Sequence, residues 1–116
     1  MANTSVFFPI WIGDDNTLEV TVVDDAGAIV DISSAQEITW KMAQDEWSSV
    51  DISKSLSGGW ISMPGGGSDA IFHVVLSGID TSSLDQGTYY QESTVKLSDQ
   101  TTHVAVGTVW LRPRLI

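Results

Sequence analysis

Two stretches of the chain alternate strictly. Leu18, Val20 and Val22 are separated by Glu19 and Thr21, and Ile38, Trp40 and Met42 by Thr39 and Lys41. A period of two marks a strand with one face in a core and the other in water. Shorter apolar stretches recur along the chain, divided by turn clusters such as Gly13-Asp14-Asp15-Asn16 and Asp24-Asp25-Ala26-Gly27. Residues 6–12 read as a first strand, and Pro9 within it implies an edge position or a bulge. Residues 28–32 form a short apolar stretch. Val50 and Ile52 suggest a hairpin partner for the strand carrying Trp40, and residues 60–63 a further short strand.

Pro64-Gly65-Gly66-Gly67-Ser68 reads as a flexible connection. Residues 70–76 are almost continuously apolar, which predicts a central strand covered on both faces. Residues 78–86 read as a connection with one helical turn around 82–84. Residues 88–97 and 104–111 make the last pair, with Pro113 ending the final strand. Seven to nine strands follow, in one domain spanning 1–116. No segment sustains a helical period for three turns. The predicted core holds Leu18, Val20, Ile38, Trp40, Phe72, Val74 and Val106.

Composition agrees with this pattern. There are 25 Ser/Thr, 10 Gly and 11 Asp against four Glu, three Lys and two Arg, a mix that favours strands and turns over helices. The net charge of −10 argues against nucleic acid and anionic membranes, which need clustered Lys/Arg. The absence of cysteine excludes disulfides, thiolate metal sites and Cys nucleophiles. No apolar run is long enough to span a membrane, and Met1-Ala2-Asn3-Thr4-Ser5 lacks the features of a signal peptide. A cytoplasmic site of synthesis is expected.

No catalytic or cofactor constellation emerges. His73 and His103 lie in predicted strands at no metal-binding spacing. The pairs Asp14-Asp15, Asp24-Asp25 and Asp45-Glu46 lack the EF-hand pattern and read as turn residues, with a loop calcium site as the alternative. Gly65-Gly66-Gly67 lacks the Lys-Ser/Thr of a phosphate loop. The expectation is a protein that is not an enzyme and needs no metal or cofactor.

Five tryptophans remain. Trp40 is predicted to be core, Trp110 core or edge, and Trp11 lies near the end of the first strand. Trp47 and Trp60 sit beside loops and are the candidates for exposure, where they would plug the ends of the fold, anchor a protein interface or stack on sugar. The C-terminal Arg112, Arg114, Leu115 and Ile116 make a basic, apolar tail on an acidic body, a candidate docking segment. Pro9 and Pro113 each remove a backbone donor and so blunt strand edges.

Trp40 on the third long strand, and Asp85-Gln86-Gly87-Thr88-Tyr89 before the penultimate one, suggest an immunoglobulin-like antiparallel β-sandwich. There a tryptophan is buried on strand C and a tyrosine corner opens strand F. The order of several segments also resembles the immunoglobulin-like N-terminal domain of phage baseplate upper proteins and related small phage or prophage virion proteins. They are Gly13-Asp14-Asp15-Asn16-Thr17-Leu18, Asp25-Ala26-Gly27 with Val30-Asp31-Ile32, Ile38 with Trp40, and Lys54-Ser55-Leu56. Asp80-Thr81-Ser82-Ser83-Leu84, Gly87-Thr88-Tyr89-Tyr90 and Gly107-Thr108-Val109-Trp110-Leu111 complete the match, which covers most of the chain. The resemblance implies a non-catalytic structural role in a virion, as a baseplate or tail adaptor or a capsid-decorating subunit. Its partners would be other virion proteins in multicopy or homo-oligomeric assembly. A carbohydrate-binding module using Trp47 and Trp60 is the alternative.

Overall fold

The structure is a computed structural model that describes residues 7–24, 26–45, 47–98 and 102–112. Eight strands and one short helix follow one another: β1 (Phe7–Trp11), β2 (Asn16–Thr21), β3 (Ala35–Ala43), β4 (Ile52–Ser55), β5 (Ile61–Ser62), β6 (Ile71–Leu76), α1 (Gly78–Ser82), β7 (Gly87–Leu97) and β8 (Thr102–Arg112). They form a five-stranded sheet in the order β1-β8-β7-β3-β4 and a three-stranded sheet in the order β2-β6-β5. Ile10, Ile38, Trp40, Val95 and Leu111 of the larger sheet share one core with Leu18, Val20, Phe72 and Val74 of the smaller.

The fold is all-β, but not wholly antiparallel as the sequence suggested. Phe7 to Trp11 run parallel to Thr108 to Arg112. These strands are far apart in sequence, so no tight turn forces them to oppose one another. β1 is an edge strand, where the missing N–H of Pro9 is tolerated.

Alternation predicted the inward faces well. Leu18, Val20, Ile38, Trp40, Phe72 and Val74 are buried. Val106 is not; it is half-buried on the outer face of β8, while Val109 and Leu111 point inward. β6 is central in its sheet but covered on one face only, with Val75 exposed and His73 half-exposed. The reason is that, among the described residues, the smaller sheet is covered by the larger one on a single face. His73 meets Glu19 of β2 at 3.2 Å on that outer face.

Trp40 is fully buried, and its indole N–H donates to Gln91 Oε1 at 2.7 Å. Tyr89, near the start of β7, donates its hydroxyl to the Asp85 carbonyl at 2.7 Å. Burial, with Asp51 and Asp85 nearby, pushes the Tyr89 phenol up from its ordinary value.

Two connections depart from the sequence reading. The helix starts earlier than expected because the Asp80 carboxylate accepts the backbone N–H of Ser77, closing half of a capping box. Residues 64–68 are a hydrogen-bonded turn series rather than a loose link. Gly67 is buried and accepts from Ile32 and Ala70 through its carbonyl. It has φ +94°, and an added Cβ would lie 2.8 Å from the Ser33 backbone. The short apolar stretch at 28–32 makes a bridge between Val23 and Ile29, and Val50 lies in the loop before β4.

Candidate functional site

The strand registers bring several chain segments to one end of the larger sheet. β1 and β8 end there, β7 begins there, and β3 turns toward β4 there: Trp11 pairs with Arg112, Trp110 with Thr88, Thr108 with Tyr90, and Tyr90 with Ala43. The core takes Ile10, Tyr89, Val109 and Leu111, so alternation turns Trp11, Trp110 and Tyr90 to the opposite face. With Trp47 from the β3–β4 loop they make an aromatic belt. At ~4.8 Å per strand it crosses roughly 15 Å of the sheet.

One end of the belt is held by a cation. The Arg112 guanidinium carbon lies 4.4 Å from the centre of the Trp11 ring and 4.6 Å from that of Trp110. Both distances are within cation–π range. Trp11 is half-buried and Trp110 is 39% exposed. Arg112 therefore belongs to the end of β8 and does not project as part of a tail. Arg114, Leu115 and Ile116, like Pro113, lie outside the described residues.

Trp47, at the other end, is 87% exposed. Its backbone is anchored: Asp45 Oδ1 accepts from Trp47 N at 2.9 Å and from Ser48 Oγ at 3.0 Å. Those hydrogen bonds, the Trp47 N–H first, hold the Asp45 carboxyl below its ordinary value. Between this turn and the sheet lies a cleft of about 340 Å³, lined among others by Gln44, Asp45, Trp47, Thr88, Tyr90 and Thr108. A smaller depression beside it is bounded by Lys41, Val50 and Glu92.

Trp60 is elsewhere. It follows β4, whereas Trp47 precedes it, so the two loop tryptophans named from the sequence stand at opposite ends of that strand. Trp60 is 43% exposed, with Lys54 Nζ 4.0 Å from its ring centre. Lys54 is itself buried and pairs with Asp80 at 3.0 Å. Burial pushes the Asp80 carboxyl up, but Lys54 and the Ser77 hydrogen bonds outweigh it, and the net shift is downward.

The acidic pairs act in turns. Asp24 Oδ1 accepts from Ala26 N and Ala28 N, and Asp15 Oδ1 accepts from Gly78 N, tying α1 to the β1–β2 turn. Asp25, Glu46 and the His103 side chain lie outside what is described. Among the described residues, no group of three His, Cys, Asp or Glu side chains could hold a metal ion.

Sequence reasoning missed the belt by placing Val106 in the core and leaving Trp110 as core or edge, although both share the outer face of β8. The available signal was Arg112, two residues on and so on the same face as Trp110: an inward assignment would also have buried an arginine. No known protein-family model matches the chain, and no curated protein matches it significantly.

Proposed function

We propose that this is an immunoglobulin-like domain serving as a non-catalytic structural protein of a phage or prophage virion, a baseplate or tail adaptor or a capsid-decorating subunit. Two sheets of five and three strands around one core support a sandwich of this kind. The buried Trp40 on the third strand and the Tyr89–Asp85 bond support the same reading, since such domains bury a tryptophan and carry a tyrosine corner. Gln91, two residues after Tyr89, stands where antibody domains carry a core cysteine, and it satisfies the indole N–H instead.

The attachment role is carried by one observation: Arg112 stands within cation–π range of both Trp11 and Trp110 on the outer face, at the end of β8 from which the chain continues to Arg114, Leu115 and Ile116. Aromatic and arginine side chains are the usual anchors of protein interfaces. Charge supports the same face. The outward strand positions of the larger sheet hold Lys41, Lys96 and Arg112 against Glu37 and Glu92, a net +1 by count, in a chain of net charge −10. Acidic partners or sister copies approach this face with the least repulsion, and multicopy assembly multiplies a weak contact.

The test is incorporation into particles. Arg112→Ala, and separately deletion of residues 113–116, are expected to leave the β-rich circular dichroism spectrum in place. Both should reduce the protein's share of purified virions by more than about tenfold, read by quantitative mass spectrometry. Normal incorporation of both variants removes this end of β8 from the interface, and absence of the wild-type protein from particles removes the virion reading itself.

A further inference from the structure

The cleft beside Trp47 lies at the other end of the aromatic belt from Arg112. We infer that it binds a neutral saccharide, one pyranose ring stacking on Trp47 with its hydroxyls toward Gln44 and Thr88. The inference does not depend on the virion reading.

Presentation of the indole is the first support. Trp47 is 87% exposed and borders the cleft, and its backbone N–H is held by the Asp45 carboxylate. Less conformational entropy is then lost when a ligand arrives. The second is the character of the lining. Gln44 and Thr88 are exposed, and their side chains make no hydrogen bond among the described residues. An amide and a hydroxyl each offer both donor and acceptor, as a sugar hydroxyl does. A pyranose has an apolar C–H face and a polar rim, which matches an indole wall beside polar groups.

Charge and polarity then choose among ligands. Among the described residues bounding the cleft none is a cation, and Asp45 stands among them. An anionic sugar or a phosphate would meet the Asp45 carboxylate in the cleft itself. A protein anchor needs an apolar, fully desolvated core around its aromatic residue. Here Trp47 is instead open to solvent, and the mainly apolar wall, which suits the C–H face of a sugar, is interrupted by the polar ends of Gln44, Thr88 and Thr108. The volume of about 340 Å³ falls at the small end of ligand sites, roughly 300–1,000 Å³, which suits a short stretch of glycan lying partly in solvent.

The purified full chain is titrated with maltohexaose, cellohexaose, laminarihexaose, chitohexaose and mannohexaose, and with an oligogalacturonate as the anionic arm. Tryptophan fluorescence and calorimetry report binding. At least one neutral hexasaccharide should bind with a Kd below about 1 mM, and the oligogalacturonate more than about tenfold more weakly. Trp47→Ala should weaken binding at least about tenfold and Thr88→Val several-fold, with Trp60→Ala within about twofold of wild type. The mutated ring is exposed, so thermal midpoints should hold and loss of binding will not be mistaken for unfolding. The inference is overturned if none of the neutral sugars binds, if the anionic one binds tightest, or if Trp47→Ala leaves binding intact. If Trp47→Ala strips the protein from virions while no sugar binds, the cleft is a protein contact and the inference fails.

Discussion

Replacing Trp40 by Phe removes one donor from the middle of the core and leaves Gln91 behind. Trp40 is fully buried and its N–H donates to Gln91 Oε1 at 2.7 Å; the Gln91 amide in turn donates to the Thr108 carbonyl at 3.3 Å. Loss of part of the ring should cost about 1–2 kcal/mol in packing. The stranded Gln91 oxygen should add about 1–3 kcal/mol, the penalty of a buried acceptor without a partner. Gln91→Leu should cost about 1–3 kcal/mol for the mirror reason, an orphaned indole N–H. The double variant removes both groups, so it should be more stable than the sum of the singles by about 1–3 kcal/mol. Urea unfolding followed by far-UV circular dichroism measures all four corners of the cycle. Additivity within about 0.5 kcal/mol would refute the view that the two polar groups hold each other in the core. Trp40→Ala, by cavity formation, should cost about 3–5 kcal/mol, and a loss below about 1 kcal/mol would contradict its core position.

Other variants test other parts of the molecule. Asp80 has its folded pKa below the ordinary aspartate value of 3.8, so the Lys54 pair stabilises the fold above that value and is lost as pH falls through the folded pKa. Asp80→Asn should therefore lower stability at pH 7 by about 1–3 kcal/mol and flatten the fall in stability below about pH 4; an unchanged acid limb in urea melts would refute this. Gly67→Ala meets both a left-handed backbone and the Ser33 main chain, and should cost about 2 kcal/mol or more, read as a lower thermal midpoint. Tyr89→Phe removes the bond to the Asp85 carbonyl and should cost about 0.5–1.5 kcal/mol, with an unchanged urea midpoint as the contrary result.

The sequence by itself determined which residues alternate, and hence the all-β character and most of the core. Period-two runs such as Leu18-Glu19-Val20 and Ile38-Thr39-Trp40 carry their own facing, because a strand turns each successive side chain to the opposite face. The Tyr89 corner was also legible, since it is local: four residues separate the hydroxyl from its acceptor. Tertiary structure decided the rest. Residues 70–76 and the stretch around Trp110 are apolar at both parities, so periodicity could not assign their faces; that depended on whether a second layer covered the sheet. The direction of β1 depended on a partner at the far end of the chain, not on a turn. The aromatic belt has the same origin. Trp11, Tyr90 and Trp110 come from three strands, Trp47 from a loop, and they meet only because the registers of β1, β8, β7 and β3 bring those positions to one end of the sheet.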